Sequence, residues 1–158
     1  MRTRNTCPIV CDIGTALHAL FLEGKQIALP WKGRRGTNDY KEFAAENPNN
    51  LILPEKDYNL VMGMYDKLNK LDEVKALMGI DFKPEVPAVM EHTTELGNTI
   101  KLKGKADAVV FDGVETYLVD LKTSAKSLED WKRGARWMMY NQQAYLYKTL
   151  FGVDSFYF

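Results

Sequence analysis

The sequence predicts an α/β fold, helices packed on a sheet, and three observations carry that prediction. Apolar residues recur at helical spacing at Ile13, Leu17, Leu20 and Phe21, and again at Leu60, Val61, Met64, Leu68 and Leu71. Polar and apolar side chains then alternate with period two through KGKADAVVFDGVETYLVDLKT, the pattern of strands whose faces differ. Finally, Ser127-Leu128-Glu129-Asp130 resembles a capping box ahead of a long helical stretch. The order helix, helix, three strands, helix, strand is that of a layered α/β domain.

Each element follows from local chemistry. Asp12 is a plausible N-cap for a helix over 13–23, with Gly24 as its stop. Residues 25–53 read as irregular, with a short helix over Asp39–Glu46 closed by Asn47-Pro48. Within that region Trp31 to Thr37 is basic and broken by glycine, either a loop near phosphates or a solvated turn. Pro54, with Glu55 and Asp57 behind it, opens a second helix running to about Leu77. Strands are expected over 86–96 and 99–111, joined at Gly97-Asn98, and over 117–122 after the turn at Asp112-Gly113. A helix from Leu128 to about Phe151 ends at Gly152, and 153–158 is one more strand.

Composition sets the bounds. The 158 residues are 46% apolar and 27% charged, ordinary for a globular domain, and they suffice for one real core. Twenty-one basic residues balance 21 acidic ones, which argues against a purely electrostatic nucleic-acid binder but leaves room for a local basic groove. Arg2 and Arg4 precede an apolar stretch, yet Asp12, Gly14, Thr15 and His18 interrupt it, so it is not a secretion signal; no run reaches membrane-spanning length. The two cysteines, Cys7 and Cys11, make neither a disulfide framework nor a four-thiolate cluster. A cytoplasmic protein with free thiols and no membrane partner is expected.

Three constellations stand out. Asp120 and Lys122 share a strand face, and the Asp112-Gly113 hairpin brings Asp107 beside them. Carboxylates are hard ligands for Mg²⁺ or Mn²⁺, and an adjacent ammonium can hold or activate a water, which is the chemistry of phosphodiester hydrolysis. Standing alone, an Asp-x-Lys at a strand end is more often a solvated salt bridge. On the last long helix Gln143 and Tyr147 lie one turn apart with Tyr140 nearby, following the basic turn Lys132, Arg133, Arg136. An amide and a phenol so placed can bind a phosphate, or equally be a buried polar pair. On the first helix Gly14 lies one turn from His18, where a glycine permits close approach.

Taken together, these residues resemble the PD-(D/E)XK nuclease superfamily, in particular its RecE-like and RecB-like phage and bacterial exonucleases. The matching segments are Gly14-Thr15-Ala16-Leu17-His18, Lys103-Gly104-Lys105-Ala106-Asp107, Asp120-Leu121-Lys122-Thr123 and Gln143-Ala144-Tyr145-Leu146-Tyr147, in family order over nearly the whole chain. The resemblance implies a restriction-endonuclease-like core, a mixed central sheet flanked by helices, in a single domain over 1–158 that is minimal or shortened at both ends. It implies Mg²⁺, replaceable by Mn²⁺, held by Asp107, Asp120, the Leu121 carbonyl and His18. Lys122 would orient or deprotonate the attacking water, and Gln143 and Tyr147 would position DNA or the lysine. The family's upstream glutamate is either Glu85, in Pro84-Glu85-Val86-Pro87, or Glu91. Lys105, Arg133 and Arg136, with Lys103, Lys126, Lys132, Arg34 and Arg35, would line the DNA path.

The function so implied is a Mg²⁺-dependent DNA exonuclease acting on linear duplex ends in phage-type recombination or repair, in the cytoplasm of a bacterium or an infected host. A single-strand annealing protein and a homo-oligomeric ring would be its partners. The alternatives are an endonuclease or flap or single-strand nuclease of the same superfamily, and a non-catalytic nucleic-acid-binding module that keeps the fold. The related CRISPR-adaptation nucleases carry four cysteines for an iron–sulfur cluster, which the two cysteines here disfavour.

Overall fold

The computed structural model describes residues 9–79 and 81–158, so Cys7 lies outside the described residues. Its contacts divide the chain into two compact units, Met1–Lys75 and Ala76–Phe158.

The first unit holds α1 (Ile9–Glu23), β1 (Ala28–Trp31), α2 (Asn38–Glu46), β2 (Leu51–Pro54) and α3 (Glu55–Lys70). Helix α1 begins earlier than Asp12, which falls in its first turn, and buries Ala16, Leu17, Ala19 and Leu22. The helix stops where the Lys25 amide donates to the Ala19 carbonyl around the left-handed Gly24. Strands β1 and β2 pair in parallel, Ala28 with Leu51 through Trp31 with Pro54, where the sequence reads as irregular. Leu53 and Val61 are the best-buried side chains of this unit. Helix α2 is capped by Thr37, whose hydroxyl accepts from the Tyr40 amide. The Trp31 ring packs on Tyr40 and Phe43 at 5.6 and 5.2 Å between centroids. In the glycine-broken loop that follows, Arg35 donates to the Ile52 carbonyl, and a Cβ at Gly33 would stand 3.1 Å from the Trp31 ring. That loop is pinned to the unit by these contacts.

The second helical stripe, expected to run unbroken to Leu77, is instead α3 followed by α4 (Asp72–Met78). Leu71 between them takes an extended conformation (φ −77°, ψ 120°). The acidic pair Asp72-Glu73 then opens the new helix, where its charge suits the helix dipole.

The second unit is built on a four-stranded sheet in the order β3-β4-β5-β6. Strands β3 (Asp81–Thr93) and β4 (Thr99–Phe111) form a long antiparallel ribbon turning at Gly97. Strand β5 (Thr116–Val119) pairs antiparallel with β4, and β6 (Ser155–Tyr157) pairs parallel with β5. The sheet is therefore mixed and flanked by helices, the α/β class that the sequence predicts. Ala106, Ala108 and Val110 of β4, with Tyr117, Leu118 and Val119 of β5, form its buried centre. Tyr117 donates its hydroxyl to the Leu77 carbonyl at 2.7 Å, and burial pushes its phenol pKa up.

The predicted long C-terminal helix is two helices, α5 (Leu128–Ala135) and α6 (Tyr140–Phe151). Ser127 caps α5 as expected, accepting from the Asp130 amide at 3.2 Å. The break spans 136–139, after Gly134 in the last turn of α5, and ends at Met139, which adopts a left-handed conformation (φ 58°). Helix α6 packs on β4 at Gly104, where a Cβ would come within 2.8 Å of Leu150 and 3.3 Å of the Tyr147 ring. Only a residue without a side chain allows that approach.

Candidate metal centre

The sheet register builds the site. Val86 pairs with Ala106 and Pro84 with Ala108, so Glu85 stands across from Asp107. Ala108 pairs with Val119, so one step further along the same ladder Asp107 stands across from Asp120. Glu85 and Asp107 thus face each other across β3 and β4, and Asp120, one residue past the end of β5, continues the same row. Carboxylate oxygens of Glu85 and Asp107 lie within 4.8 Å of each other. Glu85 adopts a left-handed backbone (φ 55°) between two prolines and interrupts the ladder there. Left-handed strain in a non-glycine residue costs on the order of 1–3 kcal/mol and tends to collect at working sites.

Glu91, the other candidate for the upstream acid, pairs across the ribbon with Lys101, 3.6 Å away. It is six residues along β3 from Glu85, roughly 20 Å at strand rise. The register therefore brings Glu85 and not Glu91 beside Asp107.

Asp120 is the buried member of the row, 5% exposed. Its amide donates to the Tyr157 carbonyl at 2.9 Å, which ties it to β6. Gln143 of α6 donates its side-chain amide to Oδ1 at 2.7 Å. Oδ2 lies 2.6 Å from the Lys122 ammonium. That ion pair lacks hydrogen-bond alignment, and Oδ2 accepts no hydrogen bond among the described residues although it is shielded from water. Asp107 is oriented by its neighbour, since the Leu121 amide donates to its Oδ2 at 3.0 Å. Leu121, expected to contribute its carbonyl, also fixes an acid through its N–H. Lys122 is expected on a strand, but β5 ends at Val119; its ammonium nonetheless meets Asp120 and lies over the Tyr140 and Phe158 rings, 5.1 and 5.8 Å from their centroids.

The remaining candidates fall in several places. His18 is half-buried on α1 of the first unit. Lys105 forms an ion pair with Glu85. The Tyr147 ring lies against Gly104, Phe151 and Phe156. Arg133 pairs with Asp130 at 3.0 Å on the exposed side of α5, while Arg136 closes the C-terminal end of that helix. Sequence reading did not find Trp131 and Phe158, whose rings join Tyr140 beside Lys122. The signal available was the run of aromatic residues at the chain's end, Phe156-Tyr157-Phe158.

The donors fit a hard divalent cation. They are carboxylates: oxygens of Glu85 and Asp107 lie within 4.8 Å of each other, and the buried Oδ2 of Asp120 is held by the Lys122 ammonium.

No protein-family model matches the sequence, and no curated protein matches it significantly. Among solved structures, the crystal structure of SSO0001 is similar at 19% identity with a TM-score of 0.39, over 92% of this chain and 72% of that one. So loose a superposition adds nothing to the reading of the site. Among the described residues no helix is long and apolar enough to cross a membrane.

Proposed function

We propose that this chain is a Mg²⁺-dependent deoxyribonuclease, acting as an exonuclease on linear duplex DNA in recombination or repair. The observation that carries the proposal is the cross-strand row Glu85, Asp107, Asp120 with Lys122 against its buried end. A divalent cation bound there supplies charge neutralisation at the phosphoryl oxygens and a water acidified toward neutral pH. Asp107 and Asp120 hold it, with Glu85 and the Leu121 carbonyl beside them. Gln143 fixes the Asp120 carboxylate, as an outer partner fixes a metal ligand. Lys122 orients the attacking water and stabilises charge on the phosphate. The family resemblance adds Lys105, Arg133, Arg136 and Tyr147 as DNA contacts.

The test is digestion of linear duplex with Mg²⁺. Nucleotides are released, EDTA stops the release, and Lys122→Ala lowers the rate about 10²–10⁴-fold, as expected when a positioned proton-transfer group is lost. Absence of release, or full activity in Lys122→Ala, refutes the assignment. Cutting of covalently closed circles would move it to an endonuclease.

A further inference from the structure

Beside the acid row the second unit carries a pocket of about 480 Å³, lined by Trp131, Lys132, Ala135, Arg136, Tyr140, Asn141 and Phe158. Its floor is aromatic. Trp131 stacks on Tyr140 with centroids 5.4 Å apart, and Phe158 lies 5.2 Å from Tyr140 and 6.1 Å from Trp131. Two cations and one amide, Lys132, Arg136 and Asn141, stand among the lining residues, and no acid does. Glu129 approaches Lys132 only at 3.9 Å, in a solvent-exposed pair of the kind that contributes little.

We infer that this pocket takes one unstacked base of a single-stranded DNA segment, with the flanking phosphates on Lys132 and Arg136. Aromatic faces are what an unpaired base stacks on, and they accept any base because every base has a π-face. An asparagine amide can pair with the polar edge that such a base exposes. A peptide would satisfy the rings equally, but it does not bring the regular anionic charge that two cations, one of them only loosely paired with Glu129, call for. A base within duplex DNA is stacked and cannot enter.

The pocket shares Tyr140 and Phe158 with Lys122, whose ammonium lies over both rings. A strand seated by its base is thereby held alongside the acid row. This last step rests on the proposed nuclease reading and makes its substrate a frayed or single-stranded end; the binding inference itself does not depend on it.

Binding of a ten-residue oligothymidylate to the whole chain in EDTA, read by tryptophan quenching and by anisotropy of labelled DNA, tests the inference without any cleavage. Quenching is expected to vanish in Trp131→Phe and to persist in Trp31→Phe and Trp137→Phe. Trp131→Ala weakens binding about tenfold or more, the usual loss of one stacking platform. The exposed double variant Lys132→Ala/Arg136→Ala, which leaves the rings intact, lowers the salt slope of binding by about 1.4, at 0.7 per phosphate contact on single strands. Equal binding of an abasic oligomer, equal binding of blunt duplex, or unchanged affinity in both Trp131→Ala and the double variant overturns it. Oligothymidylate binding without Mg²⁺-dependent cleavage would sink the nuclease reading and leave the pocket standing; cleavage with no Trp131 dependence would do the reverse.

Discussion

The two ends of the β4–β5 pair carry aspartates in opposite circumstances. At the hairpin end Asp112 is fully exposed, and its Oδ1 accepts from the amides of Val114 and Glu115 at 2.9 Å each. Those two bonds hold its carboxyl pKa below the ordinary value. At the other end Asp120 is buried; beside Lys122, two residues on, its partners come from elsewhere in the fold: Gln143, 23 residues away, and the backbone of β6. An aspartate satisfied by its own turn is a folding device. An aspartate buried with partners on a distant helix and a neighbouring strand is held in place by the tertiary fold. Residue type and strand pair are the same at both ends; the source of the partners separates them.

Breaking each end in turn sharpens the contrast. Asp120→Asn should lower Mg²⁺-dependent cleavage by roughly a thousandfold, about 4 kcal/mol of barrier, whereas Asp112→Asn should leave the rate of cleavage within about twofold. Comparable losses from both would mean that the row has no special role. Gln143→Ala should weaken Mn²⁺ binding about 10–100-fold by calorimetry, since it removes the group that orients a ligand, while the fold persists by circular dichroism. Unchanged affinity would show that the amide only fills space. The smallest effect belongs to the turn. Because the folded carboxyl of Asp112 titrates below its unfolded value, its contribution is present above about pH 4 and is lost as pH falls through the folded pKa. Protection of the Val114 and Glu115 amides, measured relative to their intrinsic exchange rates, should fall on acidification below pH 4, and Asp112→Asn should remove that pH dependence.

Much of this was legible in the sequence, and the failures have physical causes. The strand over 99–111 and the Asp112-Gly113 turn fall where alternation and turn chemistry put them, because period two and a left-handed glycine leave little choice. The parallel strands β1 and β2 were not readable, being four residues each, with Pro30 and Pro54 inside them and no alternation to detect. Both long helices were read through their breaks, because neither Leu71 nor Met139 is a residue that demands a break. At the site, Asp107 and Asp120 could be placed by hairpin register alone, and Gln143 by its helix. The choice between Glu85 and Glu91 could not be made, since it depends on the register of β3, and the hydrophobic pattern between two prolines does not fix that register. Trp131 of α5 and Phe158, one residue past β6, meet only in the tertiary fold, which no local pattern encodes.

The outermost strand, β3, threads Pro84 and Pro87 on either side of the left-handed Glu85. Prolines offer no amide to a newcomer, and a twisted kink spoils the flat template that an added strand requires. At the opposite border, β6 presents just three residues. A sheet bounded in this way offers a poor template for edge-to-edge strand addition, so the same kink that places an acid in the row also blunts the sheet's border.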